Sequence, residues 1–526
     1  MGRSLPDSDS HRVDKLFWAV VAGASALGLA LRVYRLGAPS LSIDETLSWA
    51  LAGRVGDLAR GFQSPVYHPV LKLWVALLGD SAGAMRSLSV IFGVAAIPVG
   101  AWFGRALSGR VYGAVCALLL AAHPWLVAES RIARPYALAA LLVTVAFALC
   151  VRLSTRERDF AGAGALAAVN AVGVFTSYPF AWMLIGQALF LGVLAGPAVF
   201  RRRDVQTGLV APVAAALLGS PLIYAQARVL AEHMRGFPIL TRVIDAPLQN
   251  WVTDLGFGAP WIAWMEWGEI ASPIVTGIGF LVFIAACVFA VLDHRSDGRS
   301  LAVPAAFFGP LAVLVVVSLV VPVWTPHTLT VFTPVLLFAI ALLVTRWPTV
   351  TTPIVVALAL ASSVGSAINA DACAADRWAW QKPESWRPLT AQLAQHVRVG
   401  DQIFVSPGWM TLAIRYHERG TPRTEVEGEL PIVEVPFDFY DADADLSDVI
   451  GFGAARRIWV VRVAGYPSDN LIRAVERAGF ALVEHQFFHR LSLELYARDL
   501  TPPGEIEILA PSKEPASALK NIEPIE

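Results

Sequence analysis

Residues 41–50, Leu41-Ser42-Ile43-Asp44-Glu45-Thr46-Leu47-Ser48-Trp49-Ala50, place two adjacent carboxylates just past the first long apolar run, Leu16–Leu31. Acids at a membrane exit are costly unless protein pairs or solvates them. Two side by side point to a general base, a metal site or a cation path. A structural account covers one of the pair. Ser42 followed three residues on by Glu45 has the spacing of a capping box. That account leaves Asp44 unexplained, so Asp44 and Glu45 stand together as the catalytic candidates.

Working outward, the chain has 526 residues, 56% hydrophobic and only 16% charged, with 17 Trp and a mean hydropathy of +0.57. Soluble domains carry roughly 25% charged residues, so this composition belongs in a bilayer. The net charge of −1 is uninformative about partners, and nothing in the sequence resembles a basic nucleic-acid-binding face, so no nucleic-acid partner is expected. Cys116, Cys150 and Cys287 lie in apolar runs, which leaves Cys373 without a disulfide partner. There is no internal repeat, phosphate-cradling glycine loop or metal-spaced His/Cys cluster.

The charged Arg32-Val33-Tyr34-Arg35 follows the first apolar run with no small-residue cleavage site, which predicts a retained signal anchor. Further apolar runs lie near 85–104, 111–128, 135–151, 160–176, 179–199, 207–225, 271–292, 301–321, 329–345 and 350–369. With the first they make about eleven spans of the ~20 residues each needs. Arg105 and Arg110, Arg152/Arg156/Arg158, Arg201-Arg202-Arg203, Arg295/Arg299 and Arg346 fall on alternate connections. With the basic N-terminus they mark the cytoplasmic side. The Asp44 loop, Glu129–Arg134, the 226–270 segment and everything after Asp371 then lie outside. Arg32 and Arg35 break this rule, and snorkelling to lipid headgroups accounts for them.

On the outer side, Thr46–Arg60 carries Leu47, Leu51, Val55 and Leu58 at helical spacing, as a helix lying on the membrane surface would. Gln63–Trp74 predicts a second interfacial or half-buried helix, on which His68 and Lys72 share a face. Glu129–Tyr136 is a short turn with Arg131 and Arg134. Arginine suits phosphate through its planar fork. An arginine pair with Glu129 that merely closes the turn is the alternative. The 226–270 segment mixes charges with Trp251, Trp261, Trp264 and Trp267, which suit either an interfacial belt or sugar stacking.

After Asp371, helices at Leu389–His396, Trp409–His417 and Ser468–Gly479 alternate with strands at Asp401–Ser406, Arg457–Ala464 and Phe480–Phe487. That alternation predicts a small α/β domain. The predicted architecture is therefore a polytopic α-helical membrane protein with interfacial helices in its first outer loop and a small C-terminal extracytoplasmic α/β domain. The boundaries are 1–370 for the membrane domain, 371–500 for the outer domain and 501–526 for a disordered tail.

These residues resemble the GT-C superfamily of polytopic glycosyltransferases, in its protein-mannosyltransferase and aminoarabinose-transferase-like, family 39-like branch. The resemblance covers most of residues 16–410. It rests on Asp44-Glu45, then Pro65-Val66-Tyr67, Lys72, Trp74, Gly79-Asp80-Ser81 and Arg86. Ser130, Arg134, Tyr136 and Leu138 follow, then Tyr178, Gln187 and Pro334, with Trp386-Arg387 and Gly400-Asp401 at the outer domain. The sequence departs from the family pattern at Gln63-Ser64, Ser177 and His327-Thr328.

The resemblance implies transfer of a hexosyl or pentosyl group from a polyprenyl-phosphate carrier to a glycolipid, glycan or protein acceptor outside the cytoplasmic membrane. Asp44 would be the general base, with Glu45 beside it, and the anomeric centre would be inverted. Arg134, Arg131 and Tyr136 would hold the donor phosphate, with Tyr67, His68, Lys72, Tyr178 and His327 as further substrate contacts. No cofactor is implied, and a divalent cation near Asp44 and Glu45 stays open. Two other readings remain: a ligase or polymerase using diphosphate-linked oligosaccharide, and a lipid-glycan flippase or transporter. The paired broken spans typical of transporters are not evident.

Overall fold

The computed structural model describes residues 7–53, 64–218, 299–318, 326–346, 364, 384–419, 421–422, 426, 428–433, 451–463, 468–488 and 491–498. The first compact unit contains helices α1 (Asp7–Val33), α3 (Tyr67–Leu78), α4 (Ala82–Ser108), α5 (Arg110–Ala122) and α6 (Pro124–Glu129). It continues with α7 (Tyr136–Thr155), α8 (Phe160–Thr176), α9 (Phe180–Ala195), α10 (Arg203–Leu218), α11 (Arg299–Ser318) and α12 (Thr333–Arg346). Helix α2 (Ile43–Gly53) begins at the expected amphipathic segment.

Among the described residues, Arg12–Val33, α4 and α7 are long and apolar enough to cross a bilayer alone, and α3, α5, α8, α9 and parts of α11 and α12 are shorter apolar helices. The expected spans near 271–292 and, apart from residue 364, 350–369 lie outside the described residues. So do 54–63, the 226–270 segment, Cys287, Cys373 and the tail after 498.

The run expected as one span at 111–128 is two helices. Pro124 has no N–H to offer the Leu120 carbonyl, and His123 turns extended (φ −61°, ψ 121°) between α5 and α6. Carbonyls freed in an apolar setting need other donors. Arg32 supplies them: Nη1 donates to Ala121 O at 2.9 Å and Gly28 O at 3.0 Å, and Nη2 to Leu120 O at 3.2 Å. Its side chain is wholly buried, so it braces the bundle and does not snorkel. Arg35 is exposed and adopts the left-handed conformation (φ 50°) just past α1.

Packing within this unit relies on small residues and rings, as expected where lipid is as apolar as the side chains. A methyl group on Gly104 would meet the Gly113 Cα at 2.7 Å, so these glycines set the α4–α5 approach. Phe103 and Phe338 lie 4.2 Å apart centre to centre, and Phe147 meets Phe190 edge-on at 5.4 Å. Asn170 and Gln187 exchange two amide hydrogen bonds, at 2.7 and 2.8 Å, between α8 and α9. Charge gathers at one end of these helices. Asp14 pairs with Arg105 at 3.0 Å and Arg110 at 2.7 Å, and Arg202 pairs with Asp204 beside the Arg152–Asp159 pair. Arg152 closes α7, whereas Arg134 stands just before its first residue, at the other end.

The second unit carries α13 (Trp386–His396), β1 (Gln402–Ser406), α14 (Thr411–His417), β2 (Ile432–Val433), β3 (Arg457–Val463), α15 (Asp469–Arg477), β4 (Ala481–Phe488) and β5 (Leu491–Ala497). Its sheet order is β2-β1-β3-β5-β4, parallel around β1 and antiparallel from β3 onward. Strands β2 and β5 were not among the sequence expectations. One sheet face buries Ile403, Val405, Trp459, Val461, Leu491 and Leu493 with Trp386 and Leu389 of α13. The other buries Phe404, Ile458, Val460 and Tyr496 with Leu471 and Val475 of α15. Pro39–Leu47 groups with this unit, and Ile43 is part of the first of these cores.

Candidate active site

The acidic pair is divided by helix geometry. Ser42 is the cap of α2. Its Oγ accepts from the Glu45 N–H at 3.4 Å, while Glu45 Oε2 accepts from the Ser42 N–H at 3.0 Å and its hydroxyl at 3.2 Å. The capping box expected from the spacing therefore forms. Thr46 Oγ1 donates to Ile43 O at 2.8 Å and closes the turn. Glu45 is 1% exposed, whereas Asp44, one step round the helix, is exposed. An exposed carboxylate on the first turn of a helix can take a proton from a hydroxyl. Among the described residues no group of three or more His, Cys, Asp or Glu gathers as a metal site.

In the first unit the turn after α6 carries both arginines, and it treats them differently. Arg131 is 5% exposed, and its Nη1 lies 3.0 Å from Leu31 O, 3.0 Å from Arg32 O and 2.8 Å from Tyr34 O. It thus caps the carbonyl end of α1. Arg134 is half-buried, with Nη1 3.5 Å from Ser48 Oγ, Nη2 3.5 Å from the Tyr136 hydroxyl, and its guanidinium 5.7 Å from the Tyr136 ring centre. A guanidinium is a planar fork that can grip an anion with two parallel hydrogen bonds.

The Arg134 backbone is held by a chain of hydroxyls. Ser89 Oγ donates to Arg134 O at 3.3 Å and meets the buried Tyr67 hydroxyl at 3.1 Å. The Tyr67 N–H donates to Ser64 Oγ at 3.0 Å, and Ser64 Oγ donates to Phe175 O at 3.2 Å, at the end of α8. His68 belongs to the same cluster. It is 1% exposed, and Nδ1 lies 3.0 Å from Ser64 O, a group that only accepts. Burial pushes its pKa down to about 4 against that opposing bond, and the Arg134 charge acts in the same direction as burial. His68 is therefore a neutral imidazole with its proton on Nδ1. Its buried Nε2 has no hydrogen-bond partner among the described residues.

The structure thus joins Tyr67, His68, Arg134 and Tyr136. It does not bring in Lys72, which is exposed one turn from His68, or Tyr178, exposed on the turn between α8 and α9. His327 lies on the 3-10 turn Pro326–Val331 ahead of α12. Sequence reasoning missed Ser48, Ser64 and Ser89. Ser64 lies inside the helix expected at Gln63–Trp74, and only the observed start at Tyr67 shows it as a hydroxyl just ahead of the helix.

Several signature residues serve architecture. The Trp49 indole donates to Asp80 at 3.1 Å, Ser81 caps α4, and buried Arg86 donates to Leu36 O at 2.9 Å. Trp74 donates to Ala84 O at 2.9 Å.

The chain is similar in fold to solved glycosyltransferases of the GT-C fold. ArnT from Cupriavidus metallidurans, solved bound to undecaprenyl phosphate, is similar over 93% of this chain and 98% of its own, at 15% identity and a TM-score of 0.53. The apo state of ArnT is similar over the same shares at 13% identity and a TM-score of 0.52. The apo oligosaccharyltransferase of Archaeoglobus fulgidus is similar over 85% of this chain and 69% of its own, at 11% identity and a TM-score of 0.50. At these identities the likeness is one of fold. No protein-family model matches the sequence, and no curated protein does.

Proposed function

We propose that this protein transfers a hexosyl or pentosyl group from a polyprenyl-phosphate carrier to a hydroxyl of a glycolipid, glycan or protein acceptor at the outer face of the cytoplasmic membrane. The observation that carries the reading is the division of the acidic pair. Glu45 is consumed by the cap, while Asp44 is presented from the same turn, in a chain with the fold of ArnT, itself solved with undecaprenyl phosphate.

Asp44 takes the acceptor's hydroxyl proton as that oxygen attacks the anomeric carbon. The bond from that carbon to the phosphate oxygen breaks, its electron pair stays on the phosphate, and the configuration inverts. Arg134 offsets the charge gathering on the leaving phosphate, with the Tyr136 hydroxyl as a neutral donor beside it. The basic loops support the sidedness, because they cluster at the helix ends opposite the Arg134 turn.

The test is turnover in nanodiscs with defined polyprenyl-phosphate sugars. Asp44→Asn is expected to lower the rate on the order of 10²–10⁴-fold with insertion unchanged. Full activity in Asp44→Asn sinks the assignment of the base. Turnover only with diphosphate-linked oligosaccharide replaces the reading by a ligase, and lipid translocation without transfer replaces it by a flippase.

A further inference from the structure

We infer that Glu384 is a positioning residue for Asp44, fixing the first turn of α2 from the C-terminal α/β unit. The inference rests on the assignment of Asp44 as the base. Ile43 is the first residue of α2, so its N–H is one of the donors that a helix start leaves without an internal partner. Such groups are ordinarily served by neighbours in sequence, and the Ser42–Glu45 box serves two of them here. The Ile43 N–H is taken instead by Glu384 Oε2 at 2.8 Å, from 341 positions away.

The same oxygen accepts the Trp386 indole N–H at 2.6 Å. Trp386 is wholly buried in the core that also takes the Ile43 side chain, which is 6% exposed. Two further ties hold the residues just before Asp44. The Arg387 N–H donates to Ser40 Oγ at 3.2 Å, and His417 Nε2 lies 3.4 Å from Leu41 O. Asp44 is thus flanked by Ile43, whose backbone Glu384 holds and whose side chain lies in the Trp386 core, and by Glu45, held in the cap.

The energetic weight falls on Glu384. A carboxylate bound to a backbone N–H makes a charge-assisted bond, roughly twice as strong as a neutral one. Its loss also strands a half-buried N–H at the base of the turn. A general base acts only within hydrogen-bond reach of its proton, and a displacement of about 1 Å can cost about 10²-fold. Glu384 acts on this through the Ile43 backbone and touches no reacting atom.

The experiment compares Glu384→Ala, Glu384→Gln, Ser40→Ala and Asp44→Asn in the full-length protein in nanodiscs, by turnover and by hydrogen exchange. Glu384→Ala is expected to lower kcat about 10–100-fold with KM within about threefold, since docking geometry and not donor binding is disturbed. Amides 40–47 should exchange faster while those of β1 and β3 keep their protection. Glu384→Gln keeps an acceptor oxygen and should recover most of the rate, and Ser40→Ala should cost less than Glu384→Ala.

Unchanged exchange at 40–47 in Glu384→Ala overturns the inference. So does a parental kcat, or a glutamine variant as poor as alanine. If Asp44→Asn is inactive and Glu384→Ala is not, only the positioning role fails. If Asp44→Asn keeps its full rate, the base assignment fails first.

Discussion

Replacing Arg131 by methionine separates a brace from a phosphate contact. The substitution keeps an unbranched side chain of similar length and removes the guanidinium. What is lost is set by geometry: one nitrogen, Nη1, within 3.0 Å of three carbonyls at the end of α1. That nitrogen carries two hydrogens, so at most two full hydrogen bonds form and the third is shared. Hydrogen bonds to a charged donor contribute roughly 1.5–3 kcal/mol each, so the loss is about 3–6 kcal/mol. Arg131→Lys should recover part of it, since an ammonium offers three donors from one point. The assay is thermal unfolding in detergent, followed by size-exclusion chromatography, with donor-lipid binding measured on the protein that remains folded. Arg131→Met is expected to unfold at markedly lower temperature while its surviving folded fraction binds donor normally. A variant as stable as the parent but unable to bind donor would refute the brace and return Arg131 to the phosphate site.

The neighbouring arginine should behave in the opposite way: Arg134→Lys keeps the charge yet loses most turnover, and Arg134→Ala loses nearly all, with donor binding weakened in both. Parental donor binding by Arg134→Ala would move the phosphate elsewhere. Gly93→Ala should fail to fold, because its methyl would lie 2.1 Å from Ser130 Oγ and 2.9 Å from Arg32 Nε, and normal yield with normal melting would refute the packing argument. His68 predicts an acid-side loss of stability. Its folded pKa is depressed to about 4, so its contribution is present above the ordinary histidine value of about 6.5 and is lost as pH falls from there towards 4, by roughly 3 kcal/mol at most. His68→Gln should flatten that part of the stability–pH curve, and an unchanged curve would contradict a neutral buried imidazole.

Legibility in the sequence followed the distance over which each interaction acts. The Ser42–Glu45 box spans three residues and could be read from spacing alone, as could the α/β alternation after residue 384. Strand β5 was missed although Leu491, Leu493 and Leu495 alternate with Ser492, Glu494 and Tyr496, a period of two. The break at Pro124 was hidden inside a run apolar enough for one span, and its remedy, Arg32, lies 88 residues upstream of the Leu120 carbonyl it serves. Arg32 looked like an exception to a charge rule and Arg131 like a phosphate ligand because the carbonyls they bind are invisible in a list of side chains. The Arg134 turn was legible as a place, while the Ser64–Tyr67–Ser89 chain behind it required the fold.

The Glu384–Ile43 bond also sets a clock. A ribosome adding about 5–20 residues per second completes Glu384 roughly 20–70 s after Ile43. Through that interval the acidic turn has its local cap but not its seat, since Trp386 and the strands beneath it do not yet exist. Chains arrested before residue 384 should therefore leave a cysteine placed at Ile43 open to thiol reagents, and finished chains should shield it; equal labelling of both would contradict the delay. Asp44 is thus among the first side chains synthesised while its turn is among the last to be seated, so on its assignment as the base an unfinished chain is expected to stay inactive by its own order of manufacture.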